Sequence, residues 1–261
     1  MSEHATPRRG RPGPTPPVVR PSASLDLASL SRRDVFSVLG LAGAAALAYG
    51  CGDSPTSPTP VGTTATIPGA TTDVSTNAAC AVTPTETIGP FPSVTDLFRS
   101  DIRDGKAGTP LTLTVKVVNV NSACAAVANA NVDIWQCDAA GDYSQYGTQT
   151  TQSFLRGIQT TNASGDATFT TIYPGWYQGR ATHIHVEVTV AGRSVKATQI
   201  AFPESVSNAV HATGVYASRG SNPMRNASDG IFADSLASEL VTPTGSVAGG
   251  YAAAFQVGVA V

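Results

Sequence analysis

Hydrophobic and polar residues alternate in short runs over much of the chain after residue 110. In Leu111–Val118 every second side chain is apolar, the period of a strand with one face buried. Val132–Cys137, Ala167–Ile172, His183–Val190 and Val195–Phe202 repeat the pattern. An Asn162-Ala-Ser-Gly-Asp turn leads into the third of these runs. Ala191-Gly192 separates the last two, which predicts a hairpin between them. Helical signals are confined to Ser207–His211 and Asp234–Leu240, and Gly and Pro punctuate the rest. Short strands at this spacing predict an all-β fold, a β-sandwich of mostly antiparallel strands with long loops and few short helices.

The first 78 residues read differently. A segment rich in Pro, Ser and Arg ends at Ser31-Arg32-Arg33-Asp34-Val35-Phe36, and an apolar stretch follows from Val38 to Tyr49. Basic residues before a short apolar run are an export signal, and the paired arginines resemble the twin-arginine type. A buried Ala-rich helix is the competing reading. The stretch is too short for a bilayer span, which needs roughly 20 residues. Leu47-Ala48-Tyr49-Gly50-Cys51 resembles a bacterial lipoprotein cleavage site, although leucine is more usual where Ala48 stands. Lipidation of Cys51 and simple cleavage of the signal are both open. Repeated Ser, Thr, Pro and Gly at 52–78 give a flexible tether. The expected organisation is a signal over 1–51, a tether over 52–78 and a folded domain over 79–261. The product is exported to the cell envelope or beyond, with membrane contact only through a lipid on Cys51.

Export places Cys80, Cys124 and Cys137 in an oxidising compartment. Three pairings are open. Cys80 with Cys124 is preferred, because Cys137 lies inside a predicted strand. No cysteine or histidine spacing resembles a zinc site. The net charge is −2 and charged residues make up 13% of the chain, so no basic surface is implied and nucleic acid is not an expected partner.

His183 and His185 lie two apart in a predicted strand, so both side chains point to one face with Cβ atoms roughly 7 Å apart. Such a pair either is satisfied within the protein or shares a metal ion. Tyr173-Pro-Gly-Trp-Tyr177-Gln-Gly-Arg180-Ala-Thr leads directly into it, and Trp135-Gln-Cys-Asp-Ala-Ala-Gly-Asp-Tyr143-Ser closes an earlier strand. Trp135 and Trp176 read as packing residues, Asp138 as a turn former and His211 as solvated or capping.

These segments resemble the intradiol ring-cleavage dioxygenases, particularly their secreted branch. The resemblance runs through Val132–Ser144, Phe154-Leu-Arg-Gly157 and Thr168–His185, with Cys80–Phe91 similar to the opening segment and Arg99-Ser-Asp-Ile-Arg-Asp-Gly105 also fitting. It implies one Fe³⁺ per domain, bound by Tyr143, Tyr177, His183 and His185. Tyr177 would be the ligand displaced by substrate, and Arg180 and Gln199 would line the substrate site. Many members carry His where this chain has Gln136 and Tyr where it has Phe91. The implied reaction opens a catechol-type ring between its two hydroxyls with O₂, giving a muconate-type dicarboxylate. Plain, carboxylated and substituted diols share the chelating edge, and oligomeric state is open.

The residue types suit that ion. A free tyrosine ionises near pH ~10, so two phenolates at neutral pH need a highly charged cation beside them. Zinc and copper sites more often use imidazole, thiolate or carboxylate. Two alternatives stand: a non-catalytic β-sandwich binding lipoprotein, and an iron(II) oxygenase in which Glu187, on the same strand face as His183 and His185, supplies a carboxylate.

Overall fold

The computed structural model describes residues 80–261; the expected export signal, Cys51 and the expected tether lie outside the described residues. Two sheets pack face to face. The first contains β1 (Pro110–Asn119), β2 (Ala125–Ala126), β5 (Asp166–Ile172), β8 (Thr244–Ser246) and β9 (Gly250–Val259). The second runs in the order β4 (Arg156–Thr160), β3 (Asn131–Trp135), β6 (His183–Val190) and β7 (Arg193–Ala201), all antiparallel. β1 pairs antiparallel with β5 and parallel with the C-terminal β9. The helices α1 (Glu204–His211) and α2 (Leu236–Glu239) are short, and among the described residues no helix is long and apolar enough to cross a membrane.

The alternation in the sequence sets what faces the core. Leu111, Leu113, Val115 and Val117 of β1, Phe169 of β5 and Phe255 and Val257 of β9 meet Val132, Ile134, Ile184, Val186, Val188 and Ile200 between the sheets. The other face of the second sheet therefore points away from this core. A four-residue row crosses that outer face: Arg156 opposes Trp135, Trp135 opposes His185, and His185 opposes Gln199.

An N-terminal strap covers the row. The Cys80–Cys124 disulfide, with Cα atoms 5.6 Å apart, ties its start to the first sheet. The strap then bonds to β7 through Glu86 N–H on Ala197 O at 2.9 Å, and to β4 through Leu97 O, which accepts from Ile158 N–H at 2.7 Å. The start of β6 is consequently buried on both faces, not on one as its alternating pattern predicts. Other expectations also shift. The strand read as Val132–Cys137 ends at Trp135, and Gln136, Cys137 and Asp138 leave the sheet. Cys137 is a buried free thiol. His211 is fully buried rather than solvated, its Nε2 3.1 Å from Pro174 O.

Candidate metal centre and substrate site

Strand pleating aims His183 and His185 at one point. Their Nε2 atoms are 3.1 Å apart, and Tyr143 Oη lies 3.5 Å from His183 Nε2. The Tyr177 ring sits 5.5 Å from that of His183 and 5.7 Å from that of Tyr143. The structure thus brings together all four residues expected as ligands. His183 Nδ1 lies 2.6 Å from Ala181 O. The carbonyl can only accept, so Nδ1 carries the hydrogen and Nε2 presents its lone pair. Trp135 stacks on His185 at 5.0 Å with the rings 2° from parallel, which fixes the imidazole plane. His185 Nδ1 is buried with no protein partner.

Burial, followed by the nearby Arg180 charge, lowers the His183 pKa to about 3. Burial also holds His185 well below its usual range, helped by His183 and Arg180. Both rings are therefore neutral donors at physiological pH. Burial drives the Tyr143 pKa well above the usual phenol value. Tyr177 is raised by burial too, with Arg180 opposing. In the protein alone neither phenol ionises readily. A cation of high charge at this point would reverse that preference, and two hard oxygens with two neutral imidazoles suit ferric iron. Among the described residues no three His, Cys, Asp or Glu side chains converge on a metal position. Glu187 instead accepts a hydrogen bond from Ser194 across the hairpin, so nothing there completes a two-histidine, one-carboxylate site.

A cavity of about 160 Å³ opens beside the tyrosines, lined by Phe91, Asp142, Tyr143, Tyr146, Gln149 and Tyr177 among others. A void of about 150 Å³ is known to hold benzene, so this one suits a single aromatic ring. Phe91 stacks on Tyr143 at 4.6 Å and meets Tyr177 edge-on at 5.8 Å. Tyr143 is only 4% exposed, whereas Tyr177 is half-buried.

Arg180 and Gln199 stand together at the site. Arg180 Nη2 donates to Gln199 Oε1 at 2.6 Å, and Gln199 Nε2 donates to the strap at Thr87 O, 2.9 Å away. Gln199 is therefore already spanned between the strap and Arg180. Gln136 lies outside the site, donating to Ile172 O at 2.9 Å and accepting from Thr171 Oγ1. Asp138 forms a turn, accepting from Ala140 and Asp142 N–H, as its sequence context suggests. Trp176 is half-buried, and its indole donates to Gly220 O.

Three residues near the site escaped the sequence reading of its chemistry. Gly89, at φ +71°, lies against the His185 ring. Arg156, fully buried, donates to Ser144 O at 2.7 Å and to Phe91 O at 2.8 Å, joining the Tyr143 loop to the strap. Asp229 pairs with Arg180 at 2.9 Å. The one available hint was that a buried arginine requires oxygen partners, which does not say which ones.

Comparison with known proteins agrees with this geometry. The family model described as "Dioxygenase" matches residues 90–219. An intradiol ring-cleavage dioxygenase from Tetranychus urticae is 29% identical, with a TM-score of 0.63 over 69% of this chain and 95% of that one. The dioxygenase domain of a dioxygenase–carbohydrate-binding protein fusion from Streptomyces sp. SirexAA-E is also 29% identical, with a TM-score of 0.54 over 69% of this chain and 99% of that one. Catechol 1,2-dioxygenase from Pseudomonas arvilla C-1 shares the fold at 19% identity, with a TM-score of 0.51 over 68% of this chain and 62% of that one. No curated protein matches by sequence. Sheet architecture, the His-x-His strand with its two tyrosines, and these similarities lead to one assignment: the chain belongs to the intradiol ring-cleavage dioxygenases.

Proposed function

We propose that the domain opens a catechol-type ring between its two hydroxyls with O₂, using one ferric ion held by Tyr143, Tyr177, His183 and His185. The observation that carries this reading is the convergence of the two Nε2 atoms, 3.1 Å apart, with Tyr143 Oη 3.5 Å from one of them. Bound there, ferric iron would supply Lewis-acid activation and a template for the two diol oxygens.

The protein's own groups divide the remaining work. Phe91 and Tyr146 form the aromatic wall against which a substrate ring packs. A diol binding through both oxygens must lose two protons. Tyr177, half-buried at the cavity, is the better placed phenolate to accept one, because Tyr143 is almost fully buried and its ring is stacked on Phe91. Arg180, with 14% of its side chain exposed, supplies positive charge where the ring becomes electron-rich. Gln199 holds Arg180 and has one amide hydrogen left to orient a substrate oxygen. The strap, lying over the row, and the neutral histidines keep competing water and charge away from the reacting edge.

The test is the purified domain, assayed for iron, visible absorption, and O₂ uptake with a panel of catechols. A coloured, iron-bearing protein that consumes one O₂ per diol is expected. An iron-free protein that stays inactive after reconstitution with ferric iron would defeat the proposal. Export through Arg32 and Arg33 with a lipid on Cys51 belongs to the same proposal. Cys51→Ala should then release soluble protein, and an unaltered chain already soluble and starting elsewhere than residue 51 would refute the anchor.

A further inference from the structure

Asp229 comes from outside the segment matched by the family model, which ends at residue 219. Its side chain is 0% exposed, yet every hydrogen bond it accepts has a named donor. Oδ1 takes Arg180 Nε–H at 3.1 Å and Ile231 N–H at 2.9 Å. Oδ2 takes the same Nε–H at 2.9 Å and Ala181 N–H at 2.6 Å. These bonds reach the site along two routes. The first fixes the guanidinium at Nε, which leaves its Nη groups to meet Gln199 and the Tyr177 side of the cavity. The second anchors Ala181 at its N–H; the carbonyl of the same residue, in the next peptide unit, lies 2.6 Å from His183 Nδ1 and sets which nitrogen of that ring faces the metal position.

We infer that Asp229 is a positioning residue that holds Arg180 and, through Ala181, His183 in register with each other; this rests on the proposed ferric site. A buried ion pair that merely stabilised the loop would need no link to both residues. Here one carboxylate controls the cation on the substrate side and a ligand on the metal side. Arg180 has no other carboxylate at ion-pair distance among the described residues. When Asp229 loses its charge, the guanidinium keeps its bond to Gln199 but loses its charged anchor at Nε, and Ala181 N–H is held less tightly.

The experiment is a double-mutant cycle of Asp229→Asn with Arg180→Ala, together with ferric-iron titration of the iron-free proteins. Displacing a catalytic group by about 1 Å costs on the order of 10²-fold in rate, so Asp229→Asn should slow turnover about tenfold to hundredfold. With every variant assayed at saturating ferric iron, so that weaker iron affinity does not enter the rate, the double variant turns over no more slowly than Arg180→Ala alone if Asp229 acts on turnover through Arg180. Losing a residue that orients a metal-binding histidine weakens metal affinity about 10–100-fold, and the titration should show a loss at the low end of that range. Additive rate losses, or wild-type iron affinity in Asp229→Asn, overturn the inference. Should Asp229→Asn fail to fold, Asp229→Glu enters the same cycle under the same criteria. A wild-type domain that turns over no diol defeats the proposed function, while the iron titration still decides the role of Asp229.

Discussion

Gly89 lies against the ring of His185: a Cβ on Gly89 would stand 2.8 Å from Cε1 and 3.4 Å from Nε2. Its φ of +71° is also one that residues with a side chain adopt at a cost. The strap thus presses bare backbone onto the Cε1 side of one proposed iron ligand, while Trp135 stacks on the face of that ring at 5.0 Å.

Gly89→Ala should therefore act on the metal site through sterics alone. The left-handed conformation and the close approach together should destabilise the domain by about 1–3 kcal/mol. Iron retention should fall as well, because His185 must shift or the strap must lift. Thermal unfolding and iron content check both effects. Wild-type values for both would show that the strap yields without disturbing the ligand.

Arg156 tests the strap from its other end. Its guanidinium reaches Ser144 O at 2.7 Å, Ser144 Oγ at 2.9 Å and Phe91 O at 2.8 Å, a fork that a lysine ammonium cannot reproduce. Burial lowers its pKa to about 10, still well above physiological pH, so the charge persists. Arg156→Lys should cost about 2–4 kcal/mol, since hydrogen bonds to a charged group contribute about 1.5–3 kcal/mol each. Urea unfolding of the iron-free domain measures this. A change below about 0.5 kcal/mol would mean that Arg156 does not join Tyr143 to Phe91 in solution.

Much of this architecture was legible in the sequence, but the row that organises the site was not. β1, β5, β6 and β7 announce themselves because period-two alternation is bounded by Gly or Asn turns. β9 went unread, although Phe255 and Val257 alternate toward the core, because Ala252, Ala253 and Ala254 blur the pattern. β4 begins Arg156-Gly157, which looks like loop until its partner strand is known. His183, His185, Tyr143 and Tyr177 were found through local motifs and family resemblance. Asp229 was not: it meets Arg180 across 49 residues, and no local spacing encodes that contact. Its Asp-Gly context reads simply as a turn.

Glu239 gives a pH prediction with a definite sign. The side chain is fully buried, accepting from Thr198 Oγ1 at 3.1 Å and from Ser235 Oγ. Burial raises its pKa to about 7, with Glu86 adding to the rise and the Ser235 hydrogen bond opposing it. Between the unfolded value near 4.5 and about 7 the folded state holds the extra proton. Stability is therefore lost as pH rises through that window. Glu239→Gln removes the loss. The variant should match wild type near pH 4.5 and exceed it by on the order of 2 kcal/mol at pH 8. Buried His183 has the opposite sign, destabilising the iron-free domain as pH falls below about 6.5, but that contribution is common to both proteins and cancels in the difference. Denaturant unfolding of each at the two pH values gives the comparison. A variant no more stable than wild type at pH 8 would show that Glu239 ionises freely in the fold.

The two tyrosines should fail in different ways when each loses only its hydroxyl. Tyr143 is 4% exposed, stacked against Phe91 at 4.6 Å, with Oη 3.5 Å from His183 Nε2. Its burial leaves that residue less open to an incoming diol than half-buried Tyr177. In the proposed site, Tyr143→Phe would remove a permanent anionic donor and leave ferric iron with excess positive charge in a buried setting. Iron retention should drop steeply, and the visible band should shift or vanish. Tyr177 is half-buried on the cavity wall, where an incoming diol can take its place. Tyr177→Phe removes a proton acceptor, so more iron should survive than in Tyr143→Phe while diol turnover falls by about 10²-fold or more. Both variants keep the aromatic ring, so the contacts with Phe91 persist and lost packing does not account for a large effect. Iron content, visible spectrum and O₂ uptake for the two purified variants separate the cases. Full iron, colour and turnover in either one would remove that tyrosine from the site while leaving the fold and the histidine pair in place.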